Sequence, residues 1–258
     1  MGIHPTAIVD VKAEISSEAE IGPYCIIGPG VTVGPRTRLI AHVYLEGKLT
    51  IGQDNTFYPY CSCGVTPQDK KYKGEASETR IGDDNSIREF VTINRGTEGG
   101  GMITSIGDHN LLMAYVHVAH DVVIHNHAIL ANGVTFAGHV IVEDFANVGG
   151  LSAIHQFCRI GRHAMVGSYS VIKQNVLPFS ITAANHQVEV YGANRIGLER
   201  SGYSSDSIEA LQTAFRILTR AGLNTSQALS RIEEEVAQTA EIKTLIEFIR
   251  NSERGFVK

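Results

Sequence analysis

The stretch from Asn110 to Gly161, NLLMAYVHVAHDVVIHNHAILANGVTFAGHVIVEDFANVGGLSAIHQFCRIG, decides the fold. Within it Leu112, Val118, Ile124, Leu130, Phe136, Val142, Val148, Ile154 and Ile160 follow one another at intervals of six. Six is not the helical period of about 3.6, but it is a multiple of the two-residue period of a strand. Short strands that turn every few residues account for it, so the chain reads as a hexapeptide-repeat solenoid.

Upstream the same register runs without a slip through Ile3, Val9, Ile15, Ile21, Ile27, Val33, Leu39, Leu45, Ile51, Phe57 and Cys63. Two residues before most of these stands something small or apolar, such as Ala7, Ala13, Ala19, Cys25, Val31 and Val43. Side chains two apart on a strand share a face, so each hexad points one large and one small side chain inward. The rhythm then breaks twice, over about 65–78 (TPQDKKYKGEAS at its centre) and about 94–105, where Gly99, Gly100 and Gly101 mark a flexible loop. Between the breaks it resumes at Ile81, Ile87 and Ile93, and from Ile106 it continues to Ile172. Loops leaving a rigid scaffold are where function is usually carried.

After Pro178 the pattern changes. A transition segment, 179–202, leads to helical sequence in which Asp206 and Glu209 resemble a capping box, Leu211, Phe215 and Leu218 share a face, and Gly222 is a stop. Amphipathic segments follow near 226–237 and 240–251. The expected division is a solenoid over 1–186 and a helical domain over 187–258.

Composition narrows the function class. A net charge of -5 with mixed signs speaks against nucleic acid as a partner, and no apolar run is long enough for a membrane span. The N-terminus shows no basic region followed by a hydrophobic run. Gly2 fits a loose myristoylation pattern, but Ile3 is already in phase with the repeat and reads as core. Cys25, Cys61, Cys63 and Cys158 all fall at inward positions, so they read as reduced core residues of a cytoplasmic protein, with no disulfide and no metal.

If three hexads close one triangular coil, residues eighteen apart lie above one another, about 4.8 Å apart. His120 then stacks on Gly138 and Gln156, and Asp121 on His139, with His117 and His155 beside them; Asn132, Gly150 and Ser168 line another corner. None of the polar groups sits at an inward repeat position, so core packing does not explain their convergence. Asp121 directly follows His120 and can fix its tautomer or raise its basicity. His4, His42, His109, His125, His127 and His163 read as surface turn residues.

At these residues the chain resembles the acyl carrier protein-dependent UDP-N-acetylglucosamine O-acyltransferases, which begin lipid A synthesis. The likeness spans the whole chain and rests on PQDKKYKGE at 67–75, IREFVTINRGT at 87–97, HVAHD at 117–121, FAGH at 136–139, IHQFCRIG at 154–161 and the helical tail. It implies a left-handed parallel β-helix and a homotrimer with active sites between subunits. It also implies a 3-hydroxyacyl-acyl carrier protein and UDP-N-acetylglucosamine as partners, and no cofactor. Position by position it makes His120 the catalytic base, Asp121 its supporting acid and Gly138 the oxyanion donor. Lys71, His117, His139, His155 and Gln156 match substrate contacts, and Asp69, Asn194 and Arg200 the nucleotide and phosphate side. Ser168 and His186 match the acyl-chain ruler, and the small Ser168 beside Gly150 predicts a longer 3-hydroxyacyl chain.

The chain departs from the family pattern at Asn94, where some relatives have histidine, at Ser201, where a second arginine is common, and at Ile196, where a glutamate can contact the nucleotide. QVEVYG at 187–192 is also one residue longer. These departures bear on nucleotide recognition. Arg159, Arg162 and Lys173 are candidates for docking the acidic carrier protein, with a solvated face as the equal alternative.

Three rivals are weighed. Solenoid carbonic anhydrases bind zinc through histidines, and His120 and His125 have a suitable gap, but no histidine between His42 and His109 supplies an upstream ligand. A non-catalytic scaffold has no need of a lysine-rich loop, a histidine edge and a helical cap together. The N-acyltransferase acting on an amino sugar nucleotide usually carries a separate N-terminal domain, whereas hexads here begin at Ile3.

Overall fold

A computed structural model describes residues 2–184 and 187–258. Among them, strands mostly two residues long form three sheets of nine, eight and ten strands, and along the coil consecutive strands belong to different sheets. Within a sheet the neighbour is eighteen residues away, as in Ile8 with Ile26, Ile26 with Tyr44, His117 with Thr135 and Thr135 with Ala153. Three hexads therefore make one turn of a parallel β-helix, and the left-handed sense that the resemblance implies makes it an exception to the right-handed crossover rule. The offset grows to 30 between Ser62 and Thr92 and to 25 between Thr92 and His117, so each excursion is extra chain at a corner of an otherwise constant coil.

From Ile21 onward the six-residue rhythm is the core; Ile3, expected to be core, is 51% exposed because the first coil has no coil before it to cover it, and Val9 and Ile15 are partly buried. Leu112, Val118, Ile124, Leu130, Phe136, Val142 and Val148 are all fully buried, and the four cysteines are buried and unpaired, with burial pushing the Cys61 thiol up to about 12. At Thr37, Asn55, Asn85 and Asn110 the second inward position is polar yet buried. Asn110 shows why: its Oδ1 accepts from Ala128 N–H at 2.7 Å and its Nδ2 donates to the His125 carbonyl at 2.8 Å, so these side chains satisfy backbone groups at one corner.

Each corner turns through a residue in the left-handed region. Asp121, His139 and Phe157 (φ 60°, 63° and 64°) serve one corner, His127, Phe145 and His163 (58°, 59° and 53°) a second, and Tyr115, Leu151 and Tyr169 (65°, 58° and 59°) the third. Such a conformation costs a non-glycine residue about 1–2 kcal/mol, which the strand pairing and core of the coil must offset. The turn side chains stack in register with the backbone: ring centroids of His109, His127, Phe145 and His163 follow one another at 4.6–4.7 Å.

The coil's core runs to Val176, and a second core begins at Leu177. The segment expected to be a plain transition is a hairpin. Ser180–Ala184 extends one face of the coil beside Met165, then Val188–Ala193 returns antiparallel to it. Four helices follow: α1 (Arg195–Arg200), α2 (Ser205–Arg220), α3 (Thr225–Glu235) and α4 (Ala240–Arg250). The start of α2 differs from expectation, because Ser204 is the cap that accepts from Ser207 N–H. Asp206 instead places its carboxylate in the first turn, where helix N–H groups favour negative charge. The reciprocal capping box belongs to α3, between Asn224 and Gln227. α1, unforeseen from sequence, begins at an Asn194 cap. No described helix is long and apolar enough to cross a membrane.

Candidate active site

One corner of the coil carries His120, Gly138 and Gln156 at the first turn position and Asp121, His139 and Phe157 at the second. His139 N–H donates to the His120 carbonyl and Phe157 N–H to the Gly138 carbonyl, both at 3.2 Å, so the expected eighteen-residue stacking holds. The imidazole of His120 lies over Gly138. A Cβ added there would stand 2.5–3.0 Å from three ring atoms, 2.8 Å from Nε2, so only glycine fits beneath the ring. The Gly138 N–H has no backbone acceptor among the described residues.

The His120 ring is held by its neighbour. Asp121, with 1% of its side chain exposed, places Oδ2 2.8 Å from His120 Nδ1. The same carboxylate accepts from Thr97 twice: from its N–H to Oδ1 at 2.8 Å and from its hydroxyl to Oδ2. Asp121 N–H in turn donates to Thr104 Oγ1 at 2.8 Å. An ionised carboxylate only accepts, so neutral His120 carries its proton on Nδ1 and leaves the Nε2 lone pair free. That lone pair is beside Gly138, and the pair can take a proton and stabilise a developing oxyanion within one site.

Around them opens a groove of 780 Å³ whose lining includes Asp69, Lys71, His117, His139, His155 and Gln156. Asp69 and Lys71 come from the first excursion, where Asp69 Oδ1 accepts from Lys71 N–H at 2.9 Å. His117 Nδ1 is 2.7 Å from Thr92 Oγ1, and burial, helped by nearby His120, holds its pKa below the usual range. His139 is also lowered, chiefly by burial, with the opposing pull of Asp121 and Asp69 incomplete. His155 is exposed, its Nδ1 3.3 Å from an Arg254 guanidinium nitrogen.

Other expected residues lie elsewhere. Arg200 lines a separate pocket with Phe145, His163 and Ser201 at the second corner. Asn194 is close by, its Nδ2 donating to the His163 carbonyl at 3.0 Å while its Oδ1 caps α1. Ser168 is exposed on the third corner, where Tyr169 N–H bonds the Gly150 carbonyl. His186 lies outside the described residues. Of the basic candidates, Lys173 lines the groove, whereas Arg159 is engaged by Glu143 and stacks on Phe248, and Arg162 pairs with Asp144 at 3.2 Å. His125 faces α4 in a crevice with Arg159 and Glu247, away from the His120 groove.

His163 corrects its surface reading. It is 6% exposed, stacked on Phe145 with Tyr203 edge-on at 5.1 Å, and burial holds its pKa down to about 4. Sequence reasoning missed Thr97 altogether; the only signal was its place in the INRGT motif. His120, Asp121 and His139 are spaced as three metal ligands could be, within 4.8 Å. A metal would have to displace the Nδ1 proton of His120 and compete with the Thr97 hydroxyl for Asp121, so the donor set is already committed to hydrogen bonds.

Comparison with known proteins identifies the chain's relatives. Residues 175–257 match a family model described as UDP-N-acetylglucosamine O-acyltransferase, domain 2, and residues 103–138 match the bacterial transferase hexapeptide model. The acyl-[acyl-carrier-protein]--UDP-N-acetylglucosamine O-acyltransferase of Burkholderia lata is 46% identical over 260 residues, covering 99% of both chains. The crystal structure of the Moraxella catarrhalis UDP-N-acetylglucosamine O-acyltransferase is 44% identical, with full coverage of both chains and a TM-score of 0.95. That of LpxA from Acinetobacter baumannii is 42% identical over 99% of both chains, also with a TM-score of 0.95.

Proposed function

The chain belongs to the acyl carrier protein-dependent UDP-N-acetylglucosamine O-acyltransferase family, and on that premise we propose that it acylates the sugar 3-hydroxyl as the first step of lipid A biosynthesis. The observation that carries the reading is His120 Nε2 poised over Gly138, with Nδ1 held by Asp121. His120 Nε2 takes the hydroxyl proton as the oxygen attacks the thioester carbonyl of a 3-hydroxyacyl-acyl carrier protein. The Gly138 N–H stabilises the tetrahedral oxyanion. Collapse breaks the C–S bond, and the imidazolium returns its proton to the departing thiolate. A thioester is already activated for acyl transfer, so the reaction needs no cofactor.

Asp69, Lys71, His117, His139, His155 and Gln156 bind substrate along the groove. Asn194 and Arg200 lie at a different corner of the same chain, which supports a homotrimer in which a neighbouring subunit brings them to the nucleotide. Ser168 bounds the acyl chain, and its small side chain favours a longer one.

The test is a mass-spectrometric assay with UDP-N-acetylglucosamine and 3-hydroxyacyl carrier proteins of graded length. A 3-O-acylated product is expected. Acylation only of a 2-amino sugar nucleotide would overturn the reading in favour of the related N-acyltransferases.

A further inference from the structure

The excursion between Asn94 and Ile103 is not a slack loop. Its motif Arg95-Gly96-Thr97 is spent on three fixed contacts. Arg95 Nη2 donates to Glu46 Oε1 at 2.9 Å, tying the root of the loop to an earlier coil. Gly96 sits so close to the returning strand that a Cβ would stand 2.2 Å from Ile103 N. Thr97 then gives both its donors to Asp121, and a single 3-10 turn, Glu98–Gly100, folds over the same carboxylate. A Cβ on Gly100 would meet the Asp121 carboxyl carbon at 1.9 Å and both oxygens at 2.3 Å. The strand beyond the first excursion clamps the loop from outside, with Glu78 N–H donating to the Met102 carbonyl and Gly96 N–H to the Glu78 carbonyl.

We infer that Thr97 is a positioning residue for the acyl transfer, clamping the Asp121 carboxylate so that His120 presents Nε2 to the substrate. This rests on the proposed roles of His120 and Asp121. The reasoning is geometric: a carboxylate can rotate about its Cβ–Cγ bond, and a single contact to His120 would not stop it. Thr97 N–H fixes Oδ1 and the Thr97 hydroxyl fixes Oδ2, the oxygen that also meets His120, so both oxygens and hence the plane of the group are set. Gly100 packs directly against the carboxyl group, and Thr104 anchors the backbone of Asp121. The charged and titratable neighbours of the carboxylate are His120 and His139, and His139 in turn feels Asp69.

The hydroxyl also shares the negative charge that His120 uses. Removing it leaves the carboxylate less compensated and steadies the imidazolium, so the acid limb of the kcat/KM pH profile moves to higher pH.

Thr97→Val keeps the N–H and removes only the hydroxyl; Thr97→Ser restores it. Thr97→Val is expected to lower kcat by roughly 10- to 100-fold, the size typical of a group that orients a working residue without touching the reactants. KM for UDP-N-acetylglucosamine stays within about twofold by the same reasoning, the acid limb shifts upward, and Thr97→Ser recovers most of the rate. Circular dichroism and oligomeric state are recorded for each variant, and Thr97→Ser covers the case in which valine disturbs folding. Asp121→Asn is run alongside. If Asp121→Asn is inactive while Thr97→Val keeps full kcat and an unmoved pH profile, the positioning role is overturned. If Asp121→Asn and His120→Ala both retain activity, the mechanism beneath it has failed instead.

Discussion

Two corners of the same coil carry histidines in closely similar backbone settings and surround them differently. His139 and His163 both turn the chain at positive φ (63° and 53°), and both stack on a phenylalanine ring, Phe157 at 4.4 Å and Phe145 at 4.7 Å. At the first corner the neighbours are Asp121, His120 and a groove; at the second they are Tyr203 and Phe179 under the helical cap. Backbone conformation and stacking are thus properties of the scaffold. What distinguishes the two is the carboxylate: that of Asp121 is 1% exposed and faces the groove, whereas Asp144, which acts on His163, keeps a quarter of its side chain exposed and is paired with Arg162.

The largest break in that comparison is His120→Ala. It should lower kcat by roughly 10²- to 10⁴-fold, the usual worth of a general base. Oligomeric state should not change, and because the ring lies outside the core while Asp121 loses a partner, melting temperature should fall only modestly. Retention of near-full turnover would remove His120 from the mechanism. Gly138→Ala tests the same corner from below. The added methyl must push the imidazole off its seat, so a loss of about 10²-fold in kcat is expected, comparable to losing an oxyanion donor. A wild-type rate would mean that the ring has room to move without consequence.

The hexads made much of this corner legible. A period of six inside a three-sided coil converts sequence separation into spatial contact, so His120, Gly138 and Gln156 could be stacked on paper, and Asp121 with His139. That arithmetic works only while the offset is constant. Thr97 reaches Asp121 from a coil of irregular length, where adjacent strands are 25 residues apart, so no fixed spacing points to it. His163 defeated a surface reading because what buries it is a different core, the helical cap that begins at Leu177. The Asn194 side chain was matched to substrate, while within the chain it caps α1 and holds the His163 carbonyl. Local hydrogen bonds of that kind leave no periodic trace.

The buried corner makes its own prediction, of intermediate size. His163 titrates at about 4 in the folded protein, against about 6.5 in an unfolded chain. At neutral pH it is uncharged in both states and contributes nothing to pH dependence. As pH falls below about 6.5 the unfolded chain takes up a proton that the folded one refuses, so stability declines, by at most about 1.4 kcal/mol per pH unit, until the folded pKa is reached. His163→Phe keeps the stack and removes the proton site. Thermal unfolding from pH 7.5 to 4 should therefore show a shallower loss for the variant, and identical slopes would mean that His163 is reached by solvent after all.

The third corner gives the smallest effect and the finest distinction. Ser168 is exposed, at the turn where Asn132, Gly150 and Ser168 stack, and it has neither the carboxylate of the first corner nor the cap of the second. A side chain in such a place costs little to change, so Ser168→Met should alter stability by no more than about 0.5 kcal/mol. If the corner bounds the acyl chain, the longer side chain fills space that the last methylenes of the substrate occupy, and each buried CH₂ is worth about 0.8 kcal/mol. Loss of one or two such contacts turns preference toward shorter 3-hydroxyacyl chains by roughly four- to fifteenfold in kcat/KM, read from competing carrier proteins in one reaction. An unchanged length profile would confine the acyl chain to the first corner's groove and leave the third corner as scaffold.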